Sequence, residues 1–261
     1  MIYPVVGGFR MVAGKKGFFD GKPEAFSMEE SEHAYIIRSK EHEMILKKET
    51  LEISIDRKAI TNLKNISFIF EKESVSASRI QFSIHENSAI YGFGERFDSV
   101  NQYGKTVALW QRDACEGCLA SIGNQAYKNI PLVHTSDGFS FFANTSYRMR
   151  MDVGDAVQDY LSVEALGDVF DFYIWSGTPR EAMTAYGTLT GLPIFPPEWV
   201  FEPWAGGGGG RWRNGPLQDI ALEQMAAMKK FHELDIPHSG FYAEGAGATF
   251  YGEYKKEELY K

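Results

Sequence analysis

Between Pro193 and Glu244 the chain reads PIFPPEWVFEPWAGGGGGRWRNG (residues 193–215), then an amphipathic stretch, then IPHSGFYAEGAG (residues 236–247). This order predicts strand, glycine-rich loop, helix and strand, which together make one βαβ unit. Trp199, Val200, Phe201, Pro203 and Trp204 form a dense apolar run of the kind found in a strand buried on both faces. The glycines at 206–210 interrupt it and open backbone angles closed to other residues. Pro216 suits a first helical position, where a missing N–H costs nothing. Leu217, Ile220, Ala221, Met225, Met228 and Phe231 then recur as one helical stripe. Asp235-Ile236-Pro237 stops the helix, and residues 239–243 fit a second strand. A right-handed crossover sets such strands parallel, with loops 206–212 and 244–247 at one end. Active sites of parallel α/β folds sit at that end.

Upstream the pattern differs. From residue 35 to about residue 175 the chain reads as short strands separated by polar turns. Leu51, Ile53 and Ile55 alternate, as do Ile66, Phe68 and Phe70, and Phe139, Phe141 and Ala143. Stretches 160–164 and 170–175 continue the series, and strands without intervening helices predict a β-sandwich. Thr178-Pro179-Arg180-Glu181 is a capping box with proline at the first helical position, opening a helix that ends at Gly191. Pro193, Pro196 and Pro197 keep the next segment out of helix. The expected organisation is a β-sandwich over 1–187, a proline-rich passage over 188–198, and an α/β unit from 199 to 261.

Composition narrows the function. With 261 residues and a net charge of −8, the chain does not offer a nucleic-acid surface. No stretch approaches transmembrane length, so no membrane partner is expected. Two cysteines exclude a disulfide scaffold and fit a reducing, cytoplasmic compartment, and the first residues carry no apolar leader. Those cysteines, Cys115 and Cys118, have redox or zinc spacing but no second pair, so no metal or cofactor is assigned. The 14% aromatic content and five tryptophans suit a carbohydrate-binding protein as well as a large β core.

Four motifs come in a fixed order: Tyr91-Gly-Phe-Gly-Glu-Arg96, Leu109-Trp110-Gln-Arg-Asp113, Tyr127-Lys-Asn-Ile-Pro131 and Phe195-Pro-Pro-Glu-Trp199. Together they resemble the amino-terminal half of glycoside hydrolase family 31, the α-glucosidase and α-xylosidase family, over roughly residues 35–261. The resemblance implies a galactose-mutarotase-like β-sandwich followed by the first βαβ unit of a truncated (β/α)8 TIM barrel. It also implies a retaining α-glycosidase acting on oligosaccharides or glycosides, with two catalytic aspartates only ~5 Å apart. A complete barrel needs about 250 residues, so both aspartates are expected beyond this chain. No catalytic residue is assigned.

The resemblance also supplies candidates for sugar contact. Asp113 matches the aspartate of a loop that reaches from the sandwich over the barrel mouth; the alternative is a loop aspartate making a turn or pairing with Arg112. Glu244 stands where the family has the first aspartate of an Asp-x-Asp pair; the alternative is a structural carboxylate. Its longer arm and the missing second carboxylate put terminal α-glucose in doubt as the substrate. Trp204 has glycines beside it that leave room for a sugar, and Trp110 is either a stacking platform or an anchor for its loop. Arg211 and Arg213 suggest an anionic sugar group as a further option, and a phosphate-cradling role for the glycines lacks any matching motif. Two other classes stay open. One is a non-catalytic carbohydrate-binding sandwich. The other is a mutarotase-like isomerase, which needs a histidine and a carboxylate together, and neither His85 nor His134 has a paired motif.

Overall fold

The computed structural model describes residues 1–14, 17, 19–111, 126–208 and 217–244. Two compact units divide the chain, Met1–Leu192 and Pro193–Lys261.

The described part of the first unit is a run of antiparallel strands: β1 (Ile2–Val5), β2 (Gly8–Gly14), β3 (Ser27–Glu30), β4 (Ala34–Arg38), β5 (Glu43–Lys47), β6 (Glu52–Ile55), β7 (Lys58–Glu71) and β8 (Ser74–Ser83). There follow β9 (Ile90–Gly94), β10 (Lys105–Leu109), β11 (Asn129–Thr135), β12 (Phe139–Ala143), β13 (Met149–Val153), β14 (Tyr160–Leu166) and β15 (Val169–Ser176). They form a six-stranded sheet, β1-β2-β15-β12-β11-β9, and a nine-stranded sheet, β10-β13-β14-β8-β7-β6-β5-β4-β3. The sheets face each other across one apolar core. Phe82 of β8 meets Phe141 and Phe172 of the other sheet at ring-centroid distances of 5.1 and 5.8 Å. Alternation places Phe139, Phe141, Phe172 and Ile174 inside, as the period of two requires. The sandwich of mostly antiparallel sheet is therefore as the strand pattern predicts.

The outer face of the six-stranded sheet is covered as well. Helix α1 (Pro179–Thr190) lays Ala182 and Ala185 against a cluster that includes Val5, Phe142, Tyr173 and Trp175. Both reciprocal bonds of the capping box form, and Gly191 ends the helix at φ 94.

One region of the sandwich is not visible in the alternation. Arg10 of β2 is fully buried, and its Nε and Nη2 donate to Asp171 Oδ1 and Oδ2 of β15 at 2.9 and 2.7 Å. Its Nη1 reaches Asp20 at 2.5 Å, and the guanidinium lies 5.2 Å from the Tyr173 ring centre. Burial works against the Arg10 charge, but the bonds to Asp171 and Asp20 outweigh it and raise its pKa above the usual arginine range. Asp171 Oδ2 also accepts from Gly17 N and Asn144 Nδ2, while Asn144 Oδ1 accepts from Phe19 N. Backbone after β2 is thereby strapped to β15 and to the end of β12.

In the second unit, β16 (Trp204–Gly208) pairs in parallel with β17 (Gly240–Glu244), and α2 (Leu217–Glu233) lies between them in sequence. The strand expected over 199–204 forms only from Trp204 onward. Residues Glu198–Phe201 form a single 3-10 turn, closed by Val200 N to Pro197 O and Glu202 N to Trp199 O. Pro203, with no N–H to give a ladder, precedes the strand, and pairing begins at Trp204. Gly206, Gly207 and Gly208, expected in a loop, are strand residues paired with 242–244. The α2 stripe is also less covered than its spacing suggests, with Met225 and Met228 exposed and Phe231 packing on His238.

Two outcomes follow. Asp171→Ala strips the buried Arg10 of its main partner, so urea denaturation should show a loss of about 3–5 kcal/mol. His134 of β11 is buried beside Ser140 Oγ at 2.8 Å, and desolvation pushes its pKa below the usual 6.5. The folded state therefore binds fewer protons than the unfolded chain below that pH. The stability linked to His134 is complete above pH ~6.5 and falls as pH drops through the folded-state pKa. Urea midpoints of wild type and His134→Phe, compared between pH 5 and 7.5, should fall more steeply towards low pH in the wild type.

Candidate functional site

The two sheets meet at their edges where β9 closes one and β10 closes the other. The motif Tyr91–Arg96 makes this junction. Gly92 (φ 114), Phe93 (φ 67) and Gly94 (φ 84) all take left-handed backbone angles, and the β9–β11 register shifts between Asn129 and Val133. A Cβ at Gly92 would stand 2.2 Å from Leu132 O, so glycine is required there by contact as well as by angle. Phe93 is fully buried in the core. After this bulge Arg96 turns back: its Nη2 donates to Asn129 Oδ1 at 2.6 Å and to Ala108 O at 3.1 Å.

Beside this junction lies an open cleft of about 460 Å3. Trp110 and Gln111 reach it from the end of β10, Asn129 from the start of β11, and Thr145, Ser146 and Tyr147 from the β12–β13 connection. Trp110 and Tyr147 are 52% and 50% exposed, large rings held at the surface while Leu109 and Met149 beneath them are buried. Two exposed aromatic rings with amide and hydroxyl groups between them make an amphipathic surface. Such a surface suits a ligand with apolar C–H faces and a polyhydroxyl edge.

The predicted site residues are distributed as follows. Trp110 lines the cleft. Asp113 lies outside the described residues, as do Arg112, Cys115, Cys118, Arg211 and Arg213. Trp204 opens β16 opposite Gly240, and Glu244 closes β17 opposite Gly208. These two therefore sit at opposite ends of the parallel pair, about 13 Å apart at 3.3 Å per residue. The Trp204 ring packs 5.5 Å from that of Trp199, and its Nε1 donates to Val200 O at 3.1 Å. Gly240 is required beneath it, since a Cβ there would fall 2.4 Å from the indole. Trp204 is 42% exposed. The residues sequence reasoning missed are Asn129, Tyr147 and Arg96. Asn129 and Arg96 fall within two of the motifs, but only the bulge shows that they meet.

Among the described residues no cluster of three or more His, Cys, Asp or Glu side chains could hold a metal ion. Among those residues, too, no helix is long and apolar enough to cross a membrane. The His134 ring meets Ser140 rather than a carboxylate.

Residues 17–152 match the family model of the glycosyl hydrolase 31 N-terminal galactose mutarotase-like domain, and the chain belongs to that family. Among curated relatives, it is 34% identical over 166 residues to the alpha-xylosidase XylQ of Lactiplantibacillus pentosus, covering 63% of this chain and 21% of that protein. It is 26% identical over 136 residues to an alpha-xylosidase of Emericella nidulans, covering 52% of this chain and 16% of that protein. The matched regions thus span about a fifth of the length of these relatives. Among solved structures, the cycloalternan-forming enzyme of Listeria monocytogenes, in complex with a pentasaccharide substrate, superposes with a TM-score of 0.72 at 20% identity. That match covers 91% of this chain and 23% of the enzyme. A GH31 alpha-xylosidase from a soil metagenome, complexed with xylose, gives a TM-score of 0.69 at 16% identity, over 90% of this chain and 37% of the other. These likenesses concern the fold.

Proposed function

We propose that this chain is the amino-terminal part of a retaining α-glycosidase, of α-xylosidase or α-glucosidase type, and that it contributes sugar contacts to that enzyme. The observation that carries the reading is the cleft with half-exposed Trp110 and Tyr147 flanking Gln111 and Asn129, in a chain of this family. Trp110 stacks on a sugar ring, and Asn129 and Gln111 exchange hydrogen bonds with its hydroxyls. Asp113, three residues after Trp110, adds a carboxylate acceptor. In the second unit, the parallel pair β16–β17 with α2 between is the beginning of a (β/α)8 barrel, and Glu244 is the last residue of β17, the strand end at which such barrels bind substrate. The catalytic carboxyl pair, held about 5–5.5 Å apart in a retaining enzyme, comes from later barrel strands. The reading assigns no metal or cofactor, no nucleic acid and no membrane. Two cysteines in 261 residues favour a reducing, cytoplasmic setting.

The test uses the chain as it stands. Methyl α-xyloside and isomaltose are titrated against purified residues 1–261, with intrinsic tryptophan fluorescence as the signal. Saturable binding is expected, weakened about ten-fold, or 1.4 kcal/mol, in Trp110→Ala. The same preparation should release no nitrophenol from p-nitrophenyl α-xyloside. Absence of binding contradicts the sugar-contact role, and turnover above a mock preparation contradicts the placement of catalysis outside this chain.

A further inference from the structure

Arg96 is a costly residue to keep for stability. Its Nη2 is well bonded, but Nε and Nη1 are buried with no hydrogen-bond partner among the described residues. Desolvation lowers its pKa, opposed only by the charge of Asp98. A half-buried guanidinium with two unpaired nitrogens stabilises a fold less than a well-packed apolar side chain of the same length.

What Arg96 does contact is specific. Ala108 belongs to β10, which leads into Trp110 and Gln111, while Asn129 opens β11 on the far side of residues 112–125. One nitrogen thus bridges the outgoing and returning flanks of that segment. Because arginine only donates, Asn129 must turn its carbonyl oxygen towards it. The amide nitrogen of Asn129 then faces Ala126 O, to which it donates at 2.9 Å. Ala126 is itself bridged to Gln111. Arg96, Asn129, Ala126 and Gln111 are thus linked in turn, and the backbone from Gln111 to Ala108 leads back to Arg96; two of these residues, Gln111 and Asn129, line the cleft.

We infer that Arg96 is a positioning residue for the cleft: it clips the two flanks of residues 112–125 together and fixes the orientation of the Asn129 amide presented to a sugar. The inference rests on the cleft being a sugar site, as proposed above. It separates from a merely structural role, because a stabilising residue and a positioning residue respond oppositely to replacement by methionine.

The experiment compares wild type, Arg96→Met and Arg96→Lys for melting temperature, backbone amide exchange and affinity for methyl α-xyloside. In Arg96→Met, the melting temperature should be kept or raised. Exchange should rise about ten-fold in 105–111 and 126–131 alone, and affinity should fall at least ten-fold. Arg96→Lys, a point donor able to reach one of the two acceptors, should fall between. Unchanged affinity in Arg96→Met, or unchanged exchange at the two flanks, overturns the inference. If Arg96→Met does not fold, Arg96→Lys decides, and an even rise in exchange across the whole sandwich marks a structural residue and overturns it too. Wild type that binds no sugar removes the cleft reading, while exchange confined to the flanks still decides whether Arg96 clips them.

Discussion

The buried ion pair of Arg10 and Asp171 sets the terms for the first unit. Two side chains with no exposure carry opposite charges on neighbouring strands, so neither can move without leaving the other unpaired in a low-dielectric interior. Their remaining hydrogen-bonding capacity is spread over Asp20, Gly17 and Asn144. This couples the amino-terminal hairpin β1–β2 to β15 and to the end of β12. The strap that results also holds the Tyr173 hydroxyl, which donates to Phe19 O and accepts from Gly21 N. Asn144, one of its anchors, begins the connection that delivers Thr145, Ser146 and Tyr147 to the cleft. A charge buried under one face thus helps fix a surface at the sandwich edge.

The same economy of position governs the junction between the sheets. The glycines of Tyr91–Arg96 are there because the carbonyl oxygens of Leu132 in β11 and of Lys128 just before it leave no room for a Cβ. The bulge they permit turns β9 away and carries Arg96 back beneath Ala108. A motif that looks like a sequence signature is therefore a piece of backbone geometry. Its chemical consequence is the series of linked contacts at the foot of residues 112–125.

Much of this was legible in the sequence. Strand alternation at Phe139, Phe141 and Ala143, and the capping box at Thr178, gave elements that the structure contains, since burial on one face and cap geometry are local matters. The glycine run misled because glycine's freedom does not oblige it to leave a strand; parallel pairing claimed Gly206, Gly207 and Gly208. Trp199 and Phe201 misled because an apolar run does not by itself oblige the backbone to extend; Glu198–Phe201 close a 3-10 turn instead. Trp110 could be named from its motif, but its partners could not. Asn129 and Tyr147 lie 19 and 37 positions away in sequence, and only antiparallel pairing brings them beside it. Arg10 offered no signal, because a charged residue in an alternating strand reads as solvent-facing until the carboxylate across from it is known.

On the proposed function, the cleft between Trp110 and Tyr147 meets carbohydrate. Amide chemical-shift mapping of the isotope-labelled chain during titration with methyl α-xyloside addresses it residue by residue. Dose-dependent shifts concentrated at Trp110, Gln111, Asn129 and residues 145–147 are predicted. Shifts absent there, or confined to the Trp204–Gly240 end of the parallel pair, would contradict it.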